Sequence, residues 1–206
     1  MPFQLPVGIE TRVISSKKTT IYVPQVSGLA NRQVQNRINT AIINEINSMI
    51  REQGKYQTST NPEMTGHYEI KTNERGILSL TLSNYAISEH MAHGFTILRS
   101  LTFNVNTGKQ YQLSELFKPG SDYIAVISAI IAAQIKARNL PLLNGFTTIR
   151  PNQPYYLADK ALVIYFQLYE ITPYYVGFPM FPISVYDVLS MTTDESPISI
   201  LAADIA

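Results

Sequence analysis

Cysteine is absent from the 206 residues, which excludes disulfides, thiolate metal sites and a cysteine nucleophile and leaves the redox compartment open. An excess of charge of either sign is missing as well. With 16 Lys plus Arg against 15 Asp plus Glu, the chain has no electrostatic footprint for nucleic acid or an anionic membrane, and a nucleic-acid reader is not expected. The longest apolar candidate, Tyr123 to Ala137, is interrupted by Ser128, Gln134 and Lys136 and falls short of the ~20 apolar residues that span a bilayer. Membrane insertion is therefore not expected. The opening MPFQLPVGIETR has no basic stretch followed by a long apolar one, so it does not read as a secretory signal. Taken literally, the chain is made and kept in a cytoplasm; the other reading is an exported domain whose leader is missing. There is no G-x-S-x-G and no glycine-rich phosphate loop, Gly108-Lys109 reading as a hairpin turn. No cofactor is implied.

What is present is concentrated between Pro154 and Leu189, where the densest apolar run meets the densest aromatic and proline content. Leu162 to Leu168 (LVIYFQL) is short, apolar and rich in β-branched and aromatic residues, which predicts a buried strand. Pro173, Gly177, Pro179 and Pro182 follow and forbid a regular ladder or helix for about ten residues, predicting an ordered Tyr/Phe-rich loop. Ile183 to Leu189 alternates again and returns as a strand or a short helical turn.

Before that stretch, Ile9 to Val23 reads as one or two strands with Ser15 to Lys18 as turn or exposed edge. A helix follows, with Ser27-Gly28 and Asn31 offering caps, apolar residues at three- and four-residue steps from Val34 to Met49, and Gly54 as the stop. Its polar far face places it on a sheet with one side wet. Tyr56 to Gly66 is predicted as a loop. His67 to Lys71 and Ile77 to Ile87 form a hairpin about residues 73 to 76, and Phe95 to Val105 a third strand. Gln110 to Leu113 is a brief strand. A second helix, Tyr123 to Arg138, capped by Ser121 or Asp122, is apolar on most faces and predicted more buried than the first. In the tail, Ile-Ser-Ile-Leu (198 to 201) is an edge strand or a docking segment. The order predicts an α+β fold of antiparallel sheets each covered by one main helix, with strand, helix, strands occurring twice. The halves are 1–117 and 118–206, or the two form one compact unit.

Several residues carry a chemical and a bland reading. His90 and His93 near Glu89 have helical metal-pair spacing but sit in a loop, so no metal site is expected. His93 reads instead as ordering the turn by a hydrogen bond, with Gly94 allowing the backbone there and Gly108 serving the later turn. Glu170, beside a buried strand, could be a general acid only with a second carboxylate, and Asp159 and Asp187 are the nearby choices. The preferred reading is a structural acceptor for backbone amides in the Pro-Tyr-Tyr loop. Among the aromatics, most are expected in the core; Pro154, Tyr155, Tyr156, Pro173, Tyr174 and Tyr175 are the candidate ligand or partner surface, with Pro154, Tyr155, Tyr174 and Tyr175 expected exposed.

His-Gly at 93 to 94, Phe-Asn-Val-Asn-Thr-Gly-Lys at 103 to 109, Leu-Ser-Glu-Leu-Phe at 113 to 117 and the run from Tyr155 to Tyr174 with its Glu-Ile-Thr-Pro-Tyr, in this order, resemble the paired extracellular α/β domains of RsiV-type anti-sigma factors and of the region before the catalytic domain in some peptidoglycan deacetylases. The resemblance covers about Thr20 to Leu189. It implies a bacterial, non-catalytic module outside the cell or in its envelope, whose anti-sigma relatives bind lysozyme. This chain shows no sigma-binding segment, membrane helix or deacetylase domain, so neither signalling nor deacetylation carries over.

The leading expectation is thus a binding module for a protein or cell-wall glycan. A second is a structural protein, made in the cytoplasm and assembling as a homo-oligomer through edge strands, as in a spore layer. A third is a carbohydrate-active enzyme.

Overall fold

The computed structural model describes residues 6–58 and 62–203. The first five residues of the opening segment, three residues of the loop predicted over 56–66 and the last three of the tail lie outside the described residues. The chain divides into two units, Met1–Gln110 and Tyr111–Ala206, and both are mixed α+β.

The amino-terminal unit holds β1 (Gly8–Ser16), β2 (Thr19–Ser27), α1 (Arg32–Gln53), β3 (Glu63–Glu74), β4 (Ile77–Ile87) and β5 (Phe95–Asn104), with sheet order β1-β2-β3-β4-β5. All neighbours pair antiparallel except β2 with β3, which run parallel over Thr19–Ile21 and Met64–Gly66. That pair corrects the all-antiparallel expectation. Parallel neighbours need a long crossover, and α1 supplies it. The strand predicted from His67 begins at Glu63, because pairing with Thr19–Ile21 on one side and Tyr85–Ile87 on the other recruits residues that look loop-like in sequence.

Helix α1 starts where Asn31 Oδ1 accepts the backbone N–H groups of Gln33 and Val34, satisfying donors that have no partner within the helix. Its stripe Val34, Ile38, Ile42, Ile46 and Met49 packs on Ile21, Val23, Val26, Leu78, Leu80, Leu82, Ala86, Ile97 and Phe103. Gly54 caps the far end in ordinary right-handed geometry, so the stop does not use glycine's left-handed freedom. Gln53, fully buried, instead donates through Nε2 to the carbonyls of Asn84 (2.6 Å) and Phe95 (3.0 Å) and ties the helix end to β4 and β5.

The carboxyl-terminal unit opens with a 3-10 turn at Leu113–Leu116, where a strand was predicted to end; Gln110 makes only an isolated bridge to Phe103. Then come α2 (Tyr123–Ala137), β6 (Tyr155–Ala158), β7 (Ala161–Tyr165), β8 (Met180–Ser184), α3 (Val185–Val188) and α4 (Pro197–Ala202), with antiparallel sheet order β6-β7-β8. Asp122 precedes α2 without a side-chain cap bond. The helix buries one face, Tyr123, Ile127, Ser128, Ile131 and Ile135, while its alanines face outward, so it is one-sided like α1 rather than the more buried helix that was predicted. Strand β6 is absent from the sequence-based reading. It forms because Asp159 takes φ 49 and closes a two-residue hairpin, Ala158 opposite Ala161. Pro182, expected to break the ladder, sits in β8 opposite Val163. Edge strands tolerate proline because one side needs no N–H. The tail is α4, not a strand: Ser196 accepts from Ile198 N–H, and Pro197 occupies the first turn.

In both units helix side chains close strand edges. Asn39 of α1 accepts from Val26 N–H (2.8 Å) and donates to its carbonyl (2.9 Å). In the other unit Gln134 of α2 and Arg138, the residue that caps its end, donate to the β8 carbonyls of Pro182 (2.7 Å) and Met180 (2.8 Å). Exposed strand edges invite pairing with other chains, and these amides and the guanidinium occupy them.

Candidate functional site: an aromatic ledge after strand β7

Strand β7 delivers its chain into a segment, residues 166–179, that is ordered by its own hydrogen bonds. Phe166 N–H bonds the Pro179 carbonyl, Glu170 N–H the Gln167 carbonyl and Leu143 N–H the Ile171 carbonyl. Pro173 leads into a 3-10 turn at Tyr174–Val176 that ends on Gly177 at φ 78, a left-handed conformation that costs glycine nothing. Ile171 and Thr172 point inward and are buried.

Glu170 holds the base of this segment. Its Oε2 accepts the Gln167 N–H at 2.7 Å and its Oε1 meets Arg150 Nη2 at 2.8 Å. The acceptor role predicted for Glu170 is therefore filled in the turn before the Pro-Tyr-Tyr run rather than inside it. Both oxygens already have donors, which leaves little for acid catalysis. The two carboxylates considered as partners lie in the β6–β7 turn (Asp159) and in α3 (Asp187).

The consequence of this turn is the placement of Tyr169, which sits at φ 63 and is 48% exposed. A bulky side chain in the left-handed region is strained and signals a constraint imposed by its surroundings. Its ring lies 5.4 Å from that of half-buried Tyr174, tilted by 32°, and Tyr175 is 77% exposed. Tyr169 and Tyr174 in ring contact, with exposed Tyr175 next in the chain, make up a tyrosine ledge above the turn that Glu170 holds. The sequence named Tyr174 and Tyr175 for the surface but not Tyr169, which directly follows the strand predicted over Leu162 to Leu168; no local signal marks its backbone conformation.

The other predicted surface residues divide. Pro154 and Pro173 are half-buried. Tyr155 and Tyr156 are 6% and 7% exposed, so both leave the surface set. They belong to β6, and alternate strand faces are both covered; the Tyr155 hydroxyl donates to the Tyr111 carbonyl at 2.8 Å.

The structural residues of the amino-terminal unit lie apart in sequence and in that fold. His93 Nδ1 donates to the Gly94 carbonyl at 2.9 Å. Gly94 owes its place to contact rather than backbone freedom, since a Cβ there would lie 2.2 Å from the Tyr85 ring. Gly108, at φ 72, closes a turn in which its N–H bonds the Asn104 carbonyl (2.8 Å). Among the described residues no three His, Asp or Glu side chains gather where a metal ion could be held, and no helix is long and apolar enough to cross a membrane.

Residues 114–186 match the model of a family described as protein of unknown function (DUF3298). The chain is 30% identical over 193 residues to anti-sigma-V factor RsiV of Bacillus subtilis (strain 168), an alignment that takes in 85% of this chain and 65%, just under two thirds, of that relative. A DUF3298 family crystal structure from Bacteroides fragilis NCTC 9343 superposes with a TM-score of 0.67 at 12% identity over 98% of both chains. One from Pseudomonas aeruginosa PAO1 gives 0.62 at 13% identity over 97% of both; at these identities the likeness is one of fold. The family description and the relative's name denote no enzyme. In sequence and in fold, the chain resembles the RsiV-type proteins that carry a DUF3298 domain.

Proposed function

We propose that this chain is a non-catalytic, envelope-type binding module that recognises a protein through the ledge of Tyr169, Tyr174 and Tyr175. The observation that carries the reading is Tyr169, held exposed in a strained conformation against Tyr174 by a turn that Glu170 pins. Tyrosine offers a large amphipathic contact at low entropic cost, and interface cores are enriched in it. The likeness to an anti-sigma factor supports a sensing or binding role, and lysozyme is the first partner to test because the resembling anti-sigma domains bind it. A place outside the cytoplasm, in the envelope, goes with this reading.

The test is capture of hen-type lysozyme and, separately, of insoluble peptidoglycan by the purified chain. Tyr169→Ala/Tyr175→Ala is the test variant, and Tyr155→Phe, which alters a buried hydroxyl away from the ledge, is the control. Lysozyme retained by the parent and the control but not by the ledge variant supports the proposal. Retention on peptidoglycan alone replaces the protein partner with a wall glycan, and equal capture by parent and ledge variant overturns the ledge.

A further inference from the structure

We infer that strand β1 is a self-pairing edge, through which two copies of this chain associate antiparallel about Thr11. This concerns the amino-terminal unit and stands independently of the tyrosine ledge.

The direction of the free backbone groups follows from β2. Pro24, which has no N–H, lies opposite Thr11, and Val26, whose N–H and carbonyl are both taken by Asn39, lies opposite Ile9. These are therefore the non-hydrogen-bonded pairs of the β1–β2 ladder, and in such pairs both residues turn N–H and C=O away from each other. Ile9, Thr11 and Val13 consequently direct their backbone donors and acceptors to the outer side of β1. Val7, just before β1, is tied the other way: its N–H (3.0 Å) and carbonyl (2.9 Å) are occupied by the side chain of Asn73 in β3, on the β2 side of the sheet. Side chains thus cap β2 at Val26 and β8 at Met180 and Pro182. Among the described residues no side chain closes the outer side of β1 from Ile9 to Val13.

The side chains of that open segment are complementary to themselves. With Thr11 opposite Thr11 of a second copy, Ile9 faces Val13, and Glu10 faces Arg12, each pair occurring twice by symmetry. Glu10 and Arg12 are exposed and have no ion pair among the described residues, and Val13 is 53% exposed. Thr11 and the two Ile9–Val13 pairs are the hydrogen-bonded positions, so Glu10 and Arg12 occupy the non-hydrogen-bonded ones, where opposing side chains come closest. The same register sets Ser15 against Val7, whose backbone groups are already taken by Asn73, and the ladder ends there. A one-residue slip would oppose Glu10 with Thr11 and turn outward-facing groups toward occupied ones, so the register is specified.

Sedimentation of the full chain from micromolar to submillimolar concentration tests this. The parent should show a reversible monomer–dimer equilibrium weakened by salt. Glu10→Arg alone or Arg12→Glu alone places like charges opposite each other twice per dimer and should weaken association by about tenfold or more. The double reversal E10R/R12E should restore it, and an equimolar mixture of the two single variants should form a mixed dimer that neither forms alone. A parent that stays monomeric throughout, or a dimer indifferent to all three charge variants, overturns the inference. Because these side chains are exposed, unchanged circular dichroism is the expected control.

Discussion

Asn39 of α1 bonds both backbone groups of Val26, a fully buried residue whose N–H and carbonyl have no neighbouring strand at that point. The carboxamide stands in for one rung of a β-ladder. Parallel pairing of β2 with β3 stops at Ile21 and Gly66, and beyond it β2 would present bare polar groups to an apolar core. Asn39→Ala should cost about 2 kcal/mol, the penalty of leaving buried groups unsatisfied. Asn39→Asp, which keeps an acceptor but loses the donor to the Val26 carbonyl, should not restore it. Urea denaturation of both variants measures this; a loss under about 0.5 kcal/mol for the alanine would mean water replaces the amide.

The contact between Gly94 and Tyr85 predicts a non-additive pair. Gly94→Ala drives a methyl group into the Tyr85 ring and should destabilise by roughly 1–3 kcal/mol, the usual cost of overpacking. Tyr85 is 40% exposed, so Tyr85→Ala is milder, and combining the two should recover most of the Gly94→Ala loss. A double-mutant cycle giving plain additivity would show that the ring moves aside freely.

Tyr169 predicts a trade of stability against binding. Glycine at φ 63 relieves the strain, so Tyr169→Gly should raise unfolding stability by about 1 kcal/mol while lowering partner capture. Thermal unfolding and the lysozyme pull-down read the two effects on the same preparation. A variant that loses stability would show that the ring's packing on Tyr174 outweighs the backbone strain.

Burial raises the phenol pKa of Tyr123 above its ordinary value of 10.0; its hydroxyl donates to the Pro151 carbonyl at 3.2 Å and its ring stacks on Phe117 at 4.5 Å. The folded state thus holds this proton more tightly than the unfolded state. Its contribution is fully present below pH 10 and is lost as pH rises through the folded-state pKa. Stability should fall in alkali, and Tyr123→Phe should make that fall shallower while costing about 1 kcal/mol at neutral pH. Chemical denaturation at neutral pH and above pH 10 compares the slopes; identical slopes would assign the alkaline loss to other groups.

The elements that the sequence announced are those whose cause is local. The α1 stripe at helical spacing, the Asn31 cap, the 73–76 turn where Arg75 and Gly76 take positive φ, and the alternation of β4 are all written in neighbours a few residues apart. What stayed hidden depended on partners distant in the chain. Glu63 to Gly66 becomes strand because Thr19–Ile21 and Tyr85–Ile87 flank it. Tyr155 and Tyr156 go inside because β6 has a neighbour in β7 and cover on its faces.

By itself, then, the sequence determined the composition class, the two long helices α1 and α2, most strands and the likeness to RsiV-type domains, since periodicity, capping and motif order are properties of short stretches. Tertiary structure alone decided which tyrosines face outward and which strand edges stay open. Both are settled by long-range competition for the same buried space and the same backbone hydrogen bonds: Arg150 meets Glu170 beside Tyr169, and Asn39 and Asn73 occupy the backbone groups of Val26 and Val7, while among the described residues no side chain does so from Ile9 to Val13.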